Sequence, residues 1–79
     1  MTIQSEVYRV KPLDDWQVRV IEERYDLSER LGRLLKFVAI KGPEYLSLTI
    51  EDQKLLDEQA KAMRRYVRVL DKRIASFNA

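Results

Sequence analysis

The most regular feature of this chain is a heptad repeat of apolar residues in its second half. Apolar side chains recur there at alternating intervals of four and three positions, at Leu56, Ala60, Met63, Val67, Leu70, Ile74 and Phe77. This spacing places them along one side of an α-helix and is typical of left-handed packing against a second helix. The pattern therefore predicts a long amphipathic helix whose apolar seam is covered by a neighbouring helix.

The first half of the chain carries two apolar stripes on adjoining faces of a predicted helix. The seam that would meet the heptad repeat consists of Leu13, Val20, Leu27, Leu31, Leu34 and Val38, and Arg24 interrupts it. The other, called stripe A below, consists of Val18, Ile21, Tyr25, Ser28, Gly32, Leu35 and Ala39. The second predicted helix is widened in the same way by stripe B, which consists of Leu55, Ala62, Tyr66 and Val69. One neighbouring helix cannot cover the seam and stripe A together, so stripes A and B are the candidate oligomer interface.

Two hypotheses compete for what covers stripe A. In the first, two or more hairpins associate into a helical-bundle oligomer, and the small residues Ser28, Gly32 and Ala39 allow their backbones to approach closely. In the second, the N-terminal arm folds back over the stripe, where Ile3, Val7, Tyr8 and Val10 would supply apolar side chains. Association is favoured, because the arm is short and rich in polar residues.

The helix boundaries follow from residues that break or cap helices. Gly42-Pro43 is the strongest break, because proline cannot continue a helix and glycine suits the position just past its end. Asp14 with Gln17 predicts the start of helix 1, and Thr49 predicts the start of helix 2. The predicted fold class is all-α, an antiparallel and coiled-coil-like two-helix hairpin. Its predicted organisation is an extended N-terminal arm over residues 1–12 and a hairpin over 13–79, with helix 1 over about 14–41, a turn over 42–48 and helix 2 over about 49–77.

The charges fall into four blocks of alternating sign, which supports an antiparallel arrangement. Residues 14–29 carry a net charge of −4, residues 30–41 carry +4, residues 44–58 carry −4 and residues 61–73 carry +5. Two antiparallel helices bring each block opposite a block of the other sign. Each helix then also has its acids first and its bases last, as the helix dipole favours.

Length and composition limit how such a hairpin is stabilised. A chain of 79 residues forms one small domain, which buries only roughly 60% of its unfolded surface. Trp16 and Phe77 would meet at the open end and close the core. With no cysteine and no histidine, the chain lacks disulfides and a structural zinc site, so association is the remaining common source of stability. There is neither a secretory signal pattern nor an apolar run approaching the roughly 18 residues of a membrane span. We therefore expect a cytoplasmic protein without a membrane partner.

The sequence contains no recognisable catalytic, cofactor-binding or metal-binding site. Without histidine or cysteine, a hydrolytic triad and a thiol nucleophile are excluded. Adjacent acids such as Glu22 and Glu23 point about 100° apart on a helix, so they do not converge on one proton or metal ion. The two glycines stand alone, so there is no glycine-rich phosphate loop. We therefore expect a protein that is not an enzyme and that uses no cofactor.

The candidate partner-binding or anion-binding surface is the basic part of helix 2, which consists of Lys61, Arg64, Arg65, Arg68, Lys72 and Arg73. Cations along an exposed helical face suit a row of phosphates or an acidic partner surface. The simpler alternative, in which they only complement the acids of helix 1 and the helix dipole, is favoured. Tyr25 and Tyr66 could stack on a base, although core or subunit contact is the simpler role for both.

Two arginines near the helix interface require an explanation. Arg24 interrupts the seam of helix 1, and Arg73 flanks the seam of helix 2. A guanidinium group near a packed interface needs a partner, because burying an uncompensated charge is unfavourable. We expect each to pair with an acid such as Glu23 or Asp71. The alternative is that they line an anion pocket formed by oligomerisation.

Three segments resemble a widespread group of small helical-hairpin proteins of bacteriophages and prophages. They are residues 16–23 (WQVRVIEE), residues 27–37, and residues 55–74 with their LLDEQ and AMRRY sequences. The resemblance implies a helical hairpin over most of residues 14–77. It carries over no functional residue, because the group has no assigned activity. It does imply a context in which small phage proteins oligomerise and bind or block a host component.

These observations lead to two functional expectations. The first is a phage-type accessory protein that oligomerises and binds a host macromolecule, for example to block it as an anti-defence or host-takeover inhibitor in the host cytoplasm. Its partners would be further copies of the chain and a host protein. The alternative is an anion-binding module that sequesters nucleotides or nucleic acid through the basic face of helix 2.

Overall fold

The computed structural model describes residues 12–78, and every regular secondary-structure element within that range is a helix. The helices are α1 (Asp15–Ile40), α2 (Pro43–Leu46) and α3 (Ile50–Ala75), followed by a 3₁₀ turn (Ser76–Asn78). α1 and α3 each have 26 residues and pack along one another as the two legs of an antiparallel hairpin. The predicted all-α helical hairpin is therefore confirmed. The predicted N-terminal arm lies outside the described residues, apart from Pro12.

Side-chain caps fix where both long helices begin. At the start of α1, the side-chain carbonyl of Gln17 accepts a hydrogen bond from the Asp14 backbone N–H at 2.8 Å. At the start of α3, the Thr49 hydroxyl oxygen accepts one from the Asp52 backbone N–H at 3.1 Å. These bonds satisfy backbone N–H groups that lack partners within the helix, as the sequence pattern at both positions predicts.

The left-handed residue that ends α1 is Lys41, not Gly42. Lys41 has φ 53° and ψ 50°, and its backbone N–H donates to the Phe37 carbonyl at 3.3 Å. Gly42 is extended, with φ −71° and ψ −176°. The residue before a proline is driven to extended backbone, so Pro43 prevents the glycine from taking the left-handed conformation. α1 ends at Ile40, beside the Gly42-Pro43 break as predicted, but the left-handed conformation expected of a glycine there is taken by Lys41.

The connection between the long helices is a helical turn packed on their ends. α2 lies within the segment predicted as a turn, and Tyr45 within it is buried. The Tyr45 ring meets the edge of Phe37 at 5.8 Å between centroids, and Lys41 Nζ lies 5.5 Å from its centre. The side-chain amide of Gln53 donates to the carbonyls of Tyr45 and Leu48 at 3.2 and 3.3 Å. These contacts close the turn end of the core, which the sequence pattern alone did not predict.

The core is the interface between the two predicted seams. Val20, Ala60 and Leu70 are buried, and Leu70 has no exposed surface. The other seam positions from α1 and α3 are half-buried, namely Leu27, Leu31, Leu34, Val38, Leu56, Met63, Val67, Ile74 and Phe77. Leu13 was predicted in the seam but precedes α1 and remains 40% exposed. The core is therefore limited to the single interface between α1 and α3.

An aromatic pair closes the open end of the hairpin. The rings of Trp16 and Phe77 lie 5.3 Å apart with an interplanar angle of 83°, an edge-to-face contact. Such a geometry places the positive edge of one ring against the negative face of the other. The predicted meeting of these two residues is confirmed, and it joins the start of α1 to the 3₁₀ turn that follows α3.

Candidate functional site

Stripes A and B lie on opposite sides of the hairpin. The Tyr66 hydroxyl donates a hydrogen bond to the Glu23 carboxylate across the helices, and this contact marks one side. At 100° per residue, stripe A lies roughly 120–220° around α1 from Glu23, so it faces the other side. The remaining members of stripe B lie within roughly 60° of Tyr66 on α3. The candidate interface therefore consists of two separate faces.

Both faces leave large apolar side chains exposed. On stripe A, Tyr25 is 64% exposed, and on stripe B, Leu55 and Val69 are 59% and 51% exposed. Ser28 and Leu35 are half-buried, whereas Gly32 and Ala39 are exposed. The hairpin alone thus covers neither stripe, which is the condition under which the sequence predicts further contacts.

The six basic residues of the candidate site do not all form one row, although Lys61, Arg65, Arg68 and Lys72 lie within about 60° of one another on α3, as their spacing predicts. Lys61, Arg64 and Arg68 lie on the side of stripe A, roughly 160–220° around α3 from Tyr66. Arg65 and Lys72 point away from α1 at the outer face. Arg73 returns to the side of Tyr66. We call the first three residues the basic cluster, because only they share a side with the exposed aromatic ring of stripe A.

No member of the basic cluster is neutralised by an acid within residues 12–78. The ion pairs in that range are Arg24–Asp71 between the helices and Glu29–Arg33 along α1, the latter at 3.6 Å. Arg65, Lys72 and Arg73 likewise form no ion pair with another described residue, so the prediction that Arg73 pairs with an acid was wrong within this range. The opposite charge blocks do face each other across the hairpin, but they are not joined by direct contacts at these cations. The cations therefore remain able to bind an anion.

Arg24 and Asp71 form a two-point ion pair that locks the hairpin. Arg24 Nε lies 2.7 Å from Asp71 Oδ1, and Nη2 lies 3.4 Å from Oδ2. The hydrogen bond from Arg24 lowers the pKa of the Asp71 carboxyl; partial desolvation opposes this shift and the positive charge of the guanidinium reinforces it. The hydrogen bond to Asp71 likewise raises the pKa of Arg24. The prediction that Arg24 pairs with an acid is confirmed, and Arg24 is not available as an anion ligand.

The interhelical contacts place Tyr25 on the side of the hairpin that carries the basic cluster. Residues 23 and 24 lie opposite Tyr66 and Asp71, so Tyr25 lies level with the stretch of α3 that contains Arg68. Both residues are on the side of stripe A, and both are exposed. The concave surface at Tyr25 itself is lined by Ile21, Glu22 and Asp26, so the ring and the cations are separate features of this side.

A concave surface lies at the end of the hairpin that contains the turn. It is a shallow groove lined by Arg33, Lys36, Phe37, Ile40, Gly42 and Glu44. Residues 37 and 40 give it an apolar floor, and its charged rim contains both signs. Sequence reasoning missed this groove together with the burial of Tyr45. The available signal was a pair of aromatic residues on either side of the Gly-Pro break.

The described part of the chain contains neither a metal-binding cluster nor a membrane-spanning helix. Among residues 12–78, no group of three or more acidic, cysteine or histidine side chains is arranged to hold a metal ion. Over the same residues, no helix is long and apolar enough to span a membrane.

Comparison with known proteins identifies relatives of the hairpin. The family model of Sequestin matches residues 14–76, which include both long helices and the basic cluster. An uncharacterized 7.5 kDa protein from the denB-rIIB intergenic region of Enterobacteria phage T4 is 36% identical over 62 residues, which cover 78% of this chain and 94% of the phage protein. No solved structure matches the chain.

Proposed function

Because this chain belongs to the Sequestin family, we propose that it is a non-enzymatic binding protein that sequesters a phosphate-bearing ligand, a nucleotide or a nucleic acid. The family name denotes sequestration, and a relative of nearly the same length comes from a phage. We further propose that it acts as a homo-oligomer in the cytoplasm of an infected host. There it would serve host takeover or the suppression of a defence by withholding the ligand.

The observation that carries this proposal is the unpaired basic cluster of α3. Lys61, Arg64 and Arg68 are exposed and have no acid partner among residues 12–78. Charge-assisted bonds from arginine to phosphate are among the stronger protein contacts. This arrangement favours the binding of nucleotides over the purely structural role that the sequence alone favoured for these cations.

The size of the cluster favours a short ligand over a long duplex. Positions 61 and 68 are about 10 Å apart along the helix axis, at 1.5 Å per residue. That distance matches one or two nucleotides. The net charge of the chain is only +2, which is too small to hold a long polyanion strongly by non-specific attraction. Sequestration also requires no chemistry, only an affinity high enough to lower the concentration of free ligand.

Thermal unfolding in the presence of nucleotides tests this proposal. A ligand at about 100 times its dissociation constant adds about 2.7 kcal/mol of stability, which corresponds to roughly 10 °C or more for a chain of this size. We expect one or more members of a panel of nucleotides and short oligonucleotides to produce such a shift at low salt. Arg68→Ala should abolish it. The matched control Arg65→Ala, on the outer face, should retain it.

Two results would refute the sequestering proposal. One is a panel in which no nucleotide or oligonucleotide moves the unfolding temperature. The other is a ligand shift that Arg68→Ala and Arg65→Ala reduce equally, since that result would place binding outside the basic cluster.

A host macromolecule remains the second candidate partner, and the exposed stripe B favours it. Leu55, Tyr66 and Val69 present apolar surface on the side away from the basic cluster. A protein partner would bury such a surface at the centre of its interface. We expect a specific host protein captured by the wild-type chain to be lost with Val69→Asp and kept with Arg68→Ala. A captured protein that Val69→Asp still binds would exclude this face.

A further inference from the structure

We infer that two copies of this chain pair through stripe A, with their α1 helices antiparallel about a two-fold axis near Ser28 and Gly32. The inference rests on the proposal that the protein acts as a homo-oligomer. It goes further by specifying the surface, the relative direction of the helices and their register.

Gly32 indicates that a second helix approaches stripe A. A Cβ atom built at this position would meet no atom of residues 12–78 within 4 Å, so packing within the hairpin does not require a glycine. A glycine in the interior of an exposed helix destabilises that helix relative to alanine. Close approach of another helix backbone would explain the residue, and Ser28 on the preceding turn is also small.

The charges of α1 determine the direction of the partner. Residues 14–29 carry −4 and residues 30–41 carry +4. Two parallel α1 helices would place acid against acid and base against base. Two antiparallel helices place each acidic half against a basic half. Because the interface is isologous, this complementarity occurs twice in each pair.

The spacing of stripe A sets the register. With Ser28 opposite Gly32 of the second copy, Tyr25 faces Leu35 and Ile21 faces Ala39. Tyr25 and Ile21 are then each opposite another apolar residue, and the small residues Ser28 and Gly32 meet near the axis. Layers of this kind are typical of antiparallel coiled coils, where the two alternating seam positions face each other.

Charged residues at the border of stripe A distinguish this register from its neighbour. In the inferred register, Glu22 lies opposite Lys36 of the second copy, and symmetry repeats the pair. A shift of one heptad would instead oppose Glu22 to Glu29. Near the two-fold axis, the Glu29 residues of the two copies approach one another. Within each copy, Arg33 Nη1 lies 3.6 Å from Glu29 Oε1 and offsets its charge.

The basic clusters oppose the pairing. They flank stripe A in each copy, so the pairing brings Lys61, Arg64 and Arg68 of one copy towards those of the other. This repulsion is long-range and is screened at physiological salt, where the Debye length is about 8 Å. Association is therefore best measured at such a salt concentration, with no nucleotide present.

Charge reversal at Glu22 and Lys36 tests the pairing. The measurement is sedimentation velocity over a dilution series, with helix content checked by circular dichroism. We expect Glu22→Lys and Lys36→Glu each to raise the dissociation constant roughly tenfold, because two symmetric attractions become repulsions. The double variant restores both attractions and should return to within about threefold of wild type. The control Glu58→Lys makes the same change in net charge on the outer face of α3 and should have no effect.

Each alternative outcome has a definite meaning. A wild-type chain that stays monomeric at micromolar concentration overturns the pairing, as does a double variant as weak as the single variants. Equal effects of Glu22→Lys and Glu58→Lys would show that association depends on net charge alone. That result would also overturn the pairing. These measurements contain no ligand, so their failure leaves the thermal test of nucleotide binding intact, and a failure of that test leaves the pairing intact.

Discussion

Replacing Leu70 by alanine should be among the most damaging single changes to this hairpin. Leu70 is the only large side chain within residues 12–78 with no exposed surface, and it lies in the seam between α1 and α3. Removing a buried leucine side chain beyond its Cβ atom costs about 2–5 kcal/mol, because apolar burial is lost and a cavity remains. A domain of 79 residues has a total stability of about 4–12 kcal/mol, so this loss is a large part of the whole.

Leu55→Ala provides a matched control on the same helix. Leu55 is 59% exposed, so less than half of its side chain contributes burial in the hairpin. Complete burial of a leucine contributes about 1.5–3 kcal/mol, which puts the expected loss at Leu55 near 1 kcal/mol or less. The two variants make the same chemical change, so their difference isolates burial in the seam.

Urea unfolding followed by circular dichroism measures both losses. With a slope near 1 kcal/mol per molar urea, we expect Leu70→Ala to lower the midpoint by about 2 M or more and Leu55→Ala by about 1 M or less. Protein concentration must be equal in all samples, because association adds stability. Equal shifts for the two variants would refute the placement of the core. A larger shift for Leu55→Ala that grows with protein concentration would show that stripe B carries more stability than the seam.

Two further predictions concern the contacts that join the helices. Asp71→Asn should destabilise the hairpin at pH 7 but not near pH 2: the paired carboxyl has a lowered pKa, so its contribution is complete above the unfolded pKa of about 3.9 and is lost as the pH falls through the lower folded pKa. Urea midpoints at both pH values measure this, and a difference between wild type and Asp71→Asn that is unchanged at pH 2 would contradict it. Phe77→Ala should cost about 1–3 kcal/mol and shift Trp16 emission to longer wavelength, because the ring loses its edge-to-face partner. Trp16 is the only tryptophan, so fluorescence reports this contact alone, and unchanged emission would mean that the two rings do not meet in solution.

The heptad repeat made the fold predictable, whereas the backbone conformation of the turn was less predictable. Every α3 position of the repeat is buried or half-buried, because a regular interval on a helix determines a direction in space. At the turn, Pro43 imposed extended backbone on Gly42, and the left-handed residue became Lys41. The prediction weighed each residue alone, whereas the backbone responded to the pair. The burial of Tyr45 was not predicted, because it depends on a contact with Phe37, which lies on α1.

The candidate site was predictable in its residues but not in its arrangement. The sequence identified all the cations and both stripes. It did not show that stripe A and stripe B face opposite ways, although a rotation of 100° per residue from the seam contains that information. Nor did it show that Arg68 lies level with Tyr25. That placement depends on which residue of α1 lies level with which residue of α3.

What the sequence determined by itself is therefore everything that depends on one helix at a time. Periodicity selects the buried face, caps and breakers set the ends, and charge blocks favour antiparallel legs. The tertiary structure decided the register between the legs. Two heptad seams match almost equally well after a slip of seven residues, so apolar spacing cannot select one alignment. Single contacts such as Arg24–Asp71 and Trp16–Phe77 select it, and with it they decide which cations are left free to meet a ligand.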